Sequence, residues 1–153
     1  MNFAIVGATG NVGRKTIDIL EKSKLKIDNL FLVASKKSSG KKIFFKKKKI
    51  KIITLEEYNF SKAEITFFAA GSSVAKKWAP IAAQKTIVID NSQYFRMNKD
   101  IPLVVPEVNE NALKNYKKAN IIANPNCSTS QLVVALKPLH DKFRIKRVVV
   151  STY

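Results

Sequence analysis

Cysteine, histidine and tryptophan are almost missing from these 153 residues: each occurs once, as Cys127, His140 and Trp78. One cysteine excludes an intramolecular disulfide and fits a reducing compartment. So few thiol and imidazole ligands give no reason to expect a metal site. No apolar run approaches the roughly 18 residues that span a bilayer. The start, Met1-Asn2-Phe3-Ala4-Ile5-Val6-Gly7, enters a strand pattern without a basic stretch or cleavage site. A cytoplasmic protein without a signal peptide is expected. Acid is scarce too, with 11 Asp and Glu against 28 Lys and Arg and a net charge of +17. Arginine is scarcer still: only Arg14, Arg96, Arg144 and Arg147. Base-reading and phosphate-clamping surfaces lean on arginine's fork, with aromatic stacking partners among the charges. The chain also holds 16 Ile and 12 Asn, so the lysine surplus reads as an A/T nucleotide bias expressed at surface positions. A nucleic-acid partner is not expected, although small anionic ligands still gain from the field.

What is present describes a globular α/β chain. Hydrophobic residues make up 46% and charged residues 25%, enough to bury a core. Phe3-Ala4-Ile5-Val6, Leu30 to Ala34, Ile65 to Ala70, Ile87 to Asp90 and Asn120 to Ala123 read as buried strands. Ile43 to Phe45 and Ile50 to Ile53 flank a solvated lysine turn, Lys46 to Lys49. Between them fall helical stretches after Gly13, over Val74 to Gln84 with Pro80 kinking or splitting it, near Asn109 to Lys118, and over Ser128 to Leu139. Val148-Val149-Val150 reads as the start of one more strand. This alternation predicts a doubly wound, mostly parallel sheet with helices on both faces.

Two features of that pattern carry chemistry. Gly7, Gly10 and Gly13 follow the first strand and open a helix, where a dinucleotide pyrophosphate docks on free N–H groups. The spacing G-x-x-G-x-x-G departs from the commoner G-x-G-x-x-G. After the second strand come Ser35-Lys36-Lys37-Ser38-Ser39-Gly40-Lys41, with no acid to grip a ribose diol. Hydroxyls and cations suit a 2′-phosphate, so NADP is the expected cofactor. The second feature is Cys127, in Asn124-Pro125-Asn126-Cys127-Ser128-Thr129-Ser130 between a strand and a helix. A helix start offers N–H groups and the positive end of a dipole to an anionic sulfur. Its local sequence alone leaves a reactive thiol and a small core hydrophobe both open.

Taken with Phe68-Ala69-Ala70-Gly71-Ser72, Val88 to Ser92, Phe95-Arg96-Met97, Pro102 to Asn109 and Leu136 to Asp141, these segments resemble the aspartate-semialdehyde dehydrogenases. Asn126 before and Ser128 after the cysteine point away from the sister acyl-glutamyl-phosphate reductases, which show Gly and Tyr there. The resemblance implies a Rossmann-like NADP-binding domain over residues 1–126 and the truncated start of a catalytic and dimerisation domain over 127–153. It implies NADPH-dependent reductive dephosphorylation of aspartyl phosphate to the semialdehyde, a step toward lysine, threonine and methionine. Cys127 would carry the acyl group as a thioester, Arg96 would bind phosphate, and Asn126 would bind substrate or its oxyanion. Thr9, Gly10, Asn11, Val12 and Gly13 would contact the cofactor phosphates, with Lys37 and Ser38 near the 2′-phosphate. The full-length enzyme would be a homodimer.

In that family the chain continues past Tyr153 with a substrate-binding glutamine, an acid–base histidine and a substrate-binding arginine. His140 is no substitute, since it stands roughly 20 Å along the helix from Cys127 at 1.5 Å per residue; a helix cap or core contact suits it. The fragment alone is therefore expected to be nearly inactive. Two rival readings are a short-chain reductase using Tyr58 and Lys62, whose Tyr-x-x-x-Lys spacing fits but comes too early in the fold, and a basic nucleotide- or nucleic-acid-binding module.

Overall fold

The computed structural model describes residues 1–151. Seven strands form one sheet, ordered β3-β4-β2-β1-β5-β6-β7: β1 Asn2–Val6, β2 Asn29–Ala34, β3 Lys42–Phe45, β4 Lys48–Thr54, β5 Ile65–Phe68, β6 Ile87–Asp90 and β7 Ile121–Ala123. All neighbouring pairs are parallel except the β3–β4 hairpin. The doubly wound Rossmann-like architecture expected from the alternation of runs is the one found. The helices are α1 Asn11–Lys22, α2 Ser72–Ala83, α3 Pro106–Asn109 and α4 Cys127–Phe143.

Side chains alternate across the central strands, and each face finds its own helix. Phe3 and Ile5 of β1, with Leu30, Leu32 and Ile52, pack under Ile17 and Leu20 of α1. Ala4, Val6, Val33, Phe68, Val88 and Ile121 face Ala75, Ala79, Ala82 and Ala83 of α2, with Tyr58 and Phe60 closing that layer. Small residues let α2 lie close on the sheet, and the helix runs through Pro80 unbroken. On the α1 side, β5 to β7 lie under an open trough lined by Ile19, Phe67 and Ile89.

Three expected elements differ. The helix near Asn109 to Lys118 is α3 followed by a 3-10 helix, Glu110–Lys118. Asn109 causes the change of winding: its Oδ1 accepts from the Val105 N–H and its Nδ2 donates to the Leu103 carbonyl, while its backbone leaves the helical region at φ −145°, ψ 41°. The strand at Val148–Val150 does not form. β7 ends the sheet, and its free edge is already taken, with the Val104 N–H on the Ala123 carbonyl at 3.0 Å and the Ala123 N–H on that of Pro102 at 2.9 Å. The last helix is longer than expected, starting at Cys127 and running through Pro138 to Phe143.

Candidate functional site at the carboxyl edge of the sheet

Six parallel strands point the same way, so the segments that leave them gather at one edge. The predicted site residues all lie in those segments: Gly7 to Gly13 after β1, Ser35 to Ser38 after β2, Asn91 to Arg96 after β6, and Asn124 to Cys127 after β7. Topology alone therefore brings together residues more than a hundred positions apart.

The glycine turn is tightly made. The Gly7 N–H donates to the Val33 carbonyl at 2.8 Å and the Gly10 N–H to that of Gly7 at 3.0 Å. Gly7 sits at φ +89°, and a Cβ there would stand 2.4 Å from the Ala69 carbonyl oxygen. A Cβ on Gly13 would stand 2.2 Å from the Gly7 oxygen. Neither position admits a side chain. The first bond of α1 runs from the Arg14 N–H to the Gly10 carbonyl at 2.9 Å. Ahead of it the Asn11, Val12 and Gly13 N–H groups have no intrahelical acceptor, and no side chain caps them. A cradle that excludes Cβ atoms, opening on uncapped N–H groups, fits a pyrophosphate.

Beside it lies a cavity of about 490 Å³ with walls that include Thr9, Gly10, Ser35, Lys36, Leu55, Glu56, Val74 and Trp78. Ser38 Oγ donates to Oγ1 of the lining residue Thr9 at 3.4 Å. Lys37 is exposed in the turn Lys36–Ser38, and the lysine on the cavity wall is its neighbour Lys36. Leu55, Glu56 and Trp78 went unmarked in the sequence. Only the parallel pairing of β2 with β4, Ala34 opposite Thr54, brings Leu55 and Glu56 beside Ser35 and Lys36.

On the other side of β1, a hydrogen-bonded chain orders the cysteine loop. Asp90, fully buried at the end of β6, accepts from the Ser92 hydroxyl at 2.6 Å and the Ser92 N–H at 3.1 Å. Burial pushes its carboxyl above the usual range, against those bonds and the Arg96 guanidinium. Arg96 donates from Nε to the Asn124 carbonyl at 3.0 Å and from Nη2 to that of Asn91 at 3.1 Å. It is tied to backbone rather than to a surface acid, which fixes its fork beside the loop that carries Cys127. Asn124 also donates to the Asn91 side chain. A sequence signal for this network exists in the polar run Asp90-Asn91-Ser92 closing an apolar strand.

Cys127 is exposed and is the first residue of α4. Asn126 caps that helix, its Oδ1 accepting from the Ser128 N–H at 2.9 Å and the Ser128 hydroxyl at 2.6 Å. Its carbonyl oxygen is therefore committed, and its amide N–H groups are what a ligand would meet. His140 is exposed in the last turn, at the other end of α4. Tyr58 is excluded as a proton donor. It lies in the core against Phe31 and Phe60, and desolvation pushes its hydroxyl up to about 12. A short-chain reductase needs that group accessible and easily ionised. Among the described residues no cluster of three metal-ligating side chains occurs, and no helix is long and apolar enough to cross a membrane.

Comparison with known proteins agrees with this geometry. Aspartate-semialdehyde dehydrogenase of Aquifex aeolicus is 54% identical over 152 residues, covering 98% of this chain and 45% of that protein. The Shewanella violacea enzyme is 47% identical over 153 residues, again 45% of its length. The chain thus spans about half the length of the curated relatives it matches. Aspartate semialdehyde dehydrogenase II of Vibrio cholerae, solved with ASA, superposes with a TM-score of 0.90 at 48% identity, over 92% of this chain and 46% of that one. The Candida albicans enzyme, solved with NADP, gives 0.76 at 30% identity over 93% and 47%. Residues 2–116 match the family model described as semialdehyde dehydrogenase, NAD binding domain. An uncapped glycine cradle, a cavity beside it and a matching family model over most of the chain converge: the chain belongs to the semialdehyde dehydrogenase family and carries its NAD binding domain.

Proposed function

We propose that this chain is the cofactor-binding and nucleophile-bearing part of an NADP-dependent aspartate-semialdehyde dehydrogenase, converting aspartyl phosphate to the semialdehyde. The carrying observation is the exposed Cys127 at the first turn of α4, on the same edge as the uncapped start of α1. Thr9, Gly10, Asn11, Val12 and Gly13 hold the pyrophosphate, and the 2′-phosphate meets Ser38 with Lys36 or Lys37. When bound, the nicotinamide cofactor supplies the hydride. Cys127 Sγ attacks the acyl carbon, the carbon–oxygen bond to phosphate breaks, and inorganic phosphate departs as the thioester forms. Arg96, its plane set by the Asn91 and Asn124 carbonyls, offers its remaining N–H donors to the phosphate oxygens. The Asn126 amide faces the carbonyl oxygen as charge develops. Reduction at the acyl carbon is followed by expulsion of the cysteine sulfur and release of the aldehyde.

The same reading divides the chain into a cofactor domain, 1–126, and the opening of a second domain, 127–153, in a homodimeric full-length enzyme. Its support is that α4 contains no buried residue and that Val134, Leu139 and Phe143 stand exposed along it. The chain alone is then nearly inactive, because no acid–base group stands near Cys127 among the described residues. The test joins residues 1–153 to the remaining half of the Vibrio cholerae relative. The chimera should reduce NADP with semialdehyde and phosphate, and Cys127→Ser should abolish that activity with NADPH binding intact. The separate 153-residue chain should show less than about a hundredth of the chimera's rate. Turnover by the lone chain, or by the Cys127→Ser chimera, refutes the assignment.

A further inference from the structure

The glycine cradle and Cys127 orient a dinucleotide before any contact to its bases is considered. If the pyrophosphate lies at the start of α1 and the reactive ring must reach Cys127 beyond β7, the nicotinamide half runs toward β5 to β7. The adenosine half must then run toward β2 and β4. That direction leads into the cavity of about 490 Å³, whose far walls are Leu55, Val74 and Trp78. Apolar walls of this kind suit the faces of a flat heteroaromatic ring.

Glu56 is the lone carboxylate among the residues lining this cavity. Ala34 and Thr54 are paired across β2 and β4, so Lys36 and Glu56 stand equally far past the two strand ends. No ion pair joins them, and no side-chain hydrogen bond to Glu56 occurs among the described residues. Glu56 is exposed at this wall; a carboxylate is a poor neighbour for a 2′-phosphate but can accept from a donor on a ligand seated in the cavity. Adenine presents one hydrogen-bond donor on its ring edge away from the ribose, the exocyclic amine.

We propose that Glu56 is a specificity-determining residue that accepts a hydrogen bond from the exocyclic amine of adenine, with the ring held against Leu55, Val74 and Trp78. The inference rests on the dinucleotide reading above. It predicts that the chain distinguishes adenine from hypoxanthine, which carries a carbonyl oxygen in place of the amine and would meet the carboxylate with like polarity.

Trp78, the only tryptophan, provides the readout, since its emission overlaps the absorption of reduced nicotinamide. The 153-residue chain is titrated with NADPH and with its hypoxanthine analogue, following tryptophan quenching and, independently, heat of binding. The unaltered chain should bind NADPH roughly tenfold or more tightly than the analogue, the usual worth of a hydrogen bond to a charged group. Glu56→Ala should weaken NADPH binding, leave the analogue bound as well as before or better, and so remove the discrimination. Glu56→Gln, whose amide can donate to the analogue's carbonyl, should narrow or invert the preference. Circular dichroism shows that each variant is folded. Equal binding of the two dinucleotides by the unaltered chain, or undiminished discrimination in Glu56→Ala, overturns the role of Glu56 and leaves the cofactor reading standing. Absence of both quenching and heat with either dinucleotide overturns that reading and this inference with it.

Discussion

Gly10 and Gly13 belong to one turn of chain but are glycine for different reasons. A Cβ on Gly13 would meet backbone atoms, the Gly7 oxygen at 2.2 Å and the Ala8 Cα at 2.9 Å, and backbone cannot swing aside. At Gly10 the φ is −73°, and the nearest atom to an added Cβ is 3.4 Å away, an ordinary contact. Packing therefore accounts for Gly13, whereas what accounts for Gly10 is the cavity it lines. Gly13→Ala is expected to cost roughly 1–3 kcal/mol or more through overpacking. Gly10→Ala should cost about 1 kcal/mol, the preference of a helix N-cap for glycine over alanine, while a methyl group crowds the free N–H groups and weakens NADPH binding roughly tenfold. Denaturant midpoints and a fluorescence titration separate the two effects. A Gly10→Ala chain that binds NADPH as well as the parent would show that the cradle is not a phosphate site. At this scale much of the candidate site was legible, because glycine turns and a polar cysteine segment are local signals. Glu56 and Trp78 were not, since their places on the cavity wall depend on which strands become neighbours.

Among elements, the β3–β4 hairpin carries avoidable strain. Its two-residue turn places Lys46 at φ 45° and Lys47 at φ 67°. Both central residues of such a turn require the left-handed region, which Asn-Gly adopts readily and lysine does not. The double substitution Lys46→Asn with Lys47→Gly should raise stability by roughly 1–2 kcal/mol, read as a higher denaturant midpoint with unchanged slope. No gain would mean that the turn relaxes in solution. A lysine turn was visible from the charged run between two apolar ones, although it takes only Lys46 and Lys47, with Lys48 and Lys49 paired in β4; the buried parallel strands were visible from their unbroken hydrophobic stretches. Elements whose existence depends on a partner were misread. Val148 to Val150 has strand propensity but finds no pairing partner among the described residues, the β7 edge being occupied by Pro102 to Val104, and Val149 remains 80% exposed. The winding of Glu110–Lys118 turned on one asparagine side chain competing for backbone groups.

For the whole molecule, charge makes stability depend on pH in two opposite senses. Asp28 and Asp141 have carboxyls held below the ordinary value of 3.8, chiefly by hydrogen bonds from the amino terminus and from Lys137. Their stabilisation is present above 3.8 and is lost as pH falls through their folded values. Protonating carboxylates also adds to a net charge already at +17, so acid should unfold this chain readily. Asp90 acts the other way. Burial raises its folded value, so over the window that opens at 3.8 and closes at that raised value the native state binds more protons than the unfolded one. Stability must therefore fall as pH rises through that window and stay level above it. Asp90→Asn removes this titration while keeping an acceptor for the Ser92 N–H, so the comparison with the parent isolates it from the general charge effect. Below 3.8 the two chains should differ by a constant amount. Above it the variant should gain on the parent until Asp90 is ionised, after which the gap stays fixed. Thermal midpoints measured in parallel across the acid range test this. A gap that never changes with pH would mean that water reaches Asp90, and that the polar chain holding Arg96 and the cysteine loop is not sealed at its buried end.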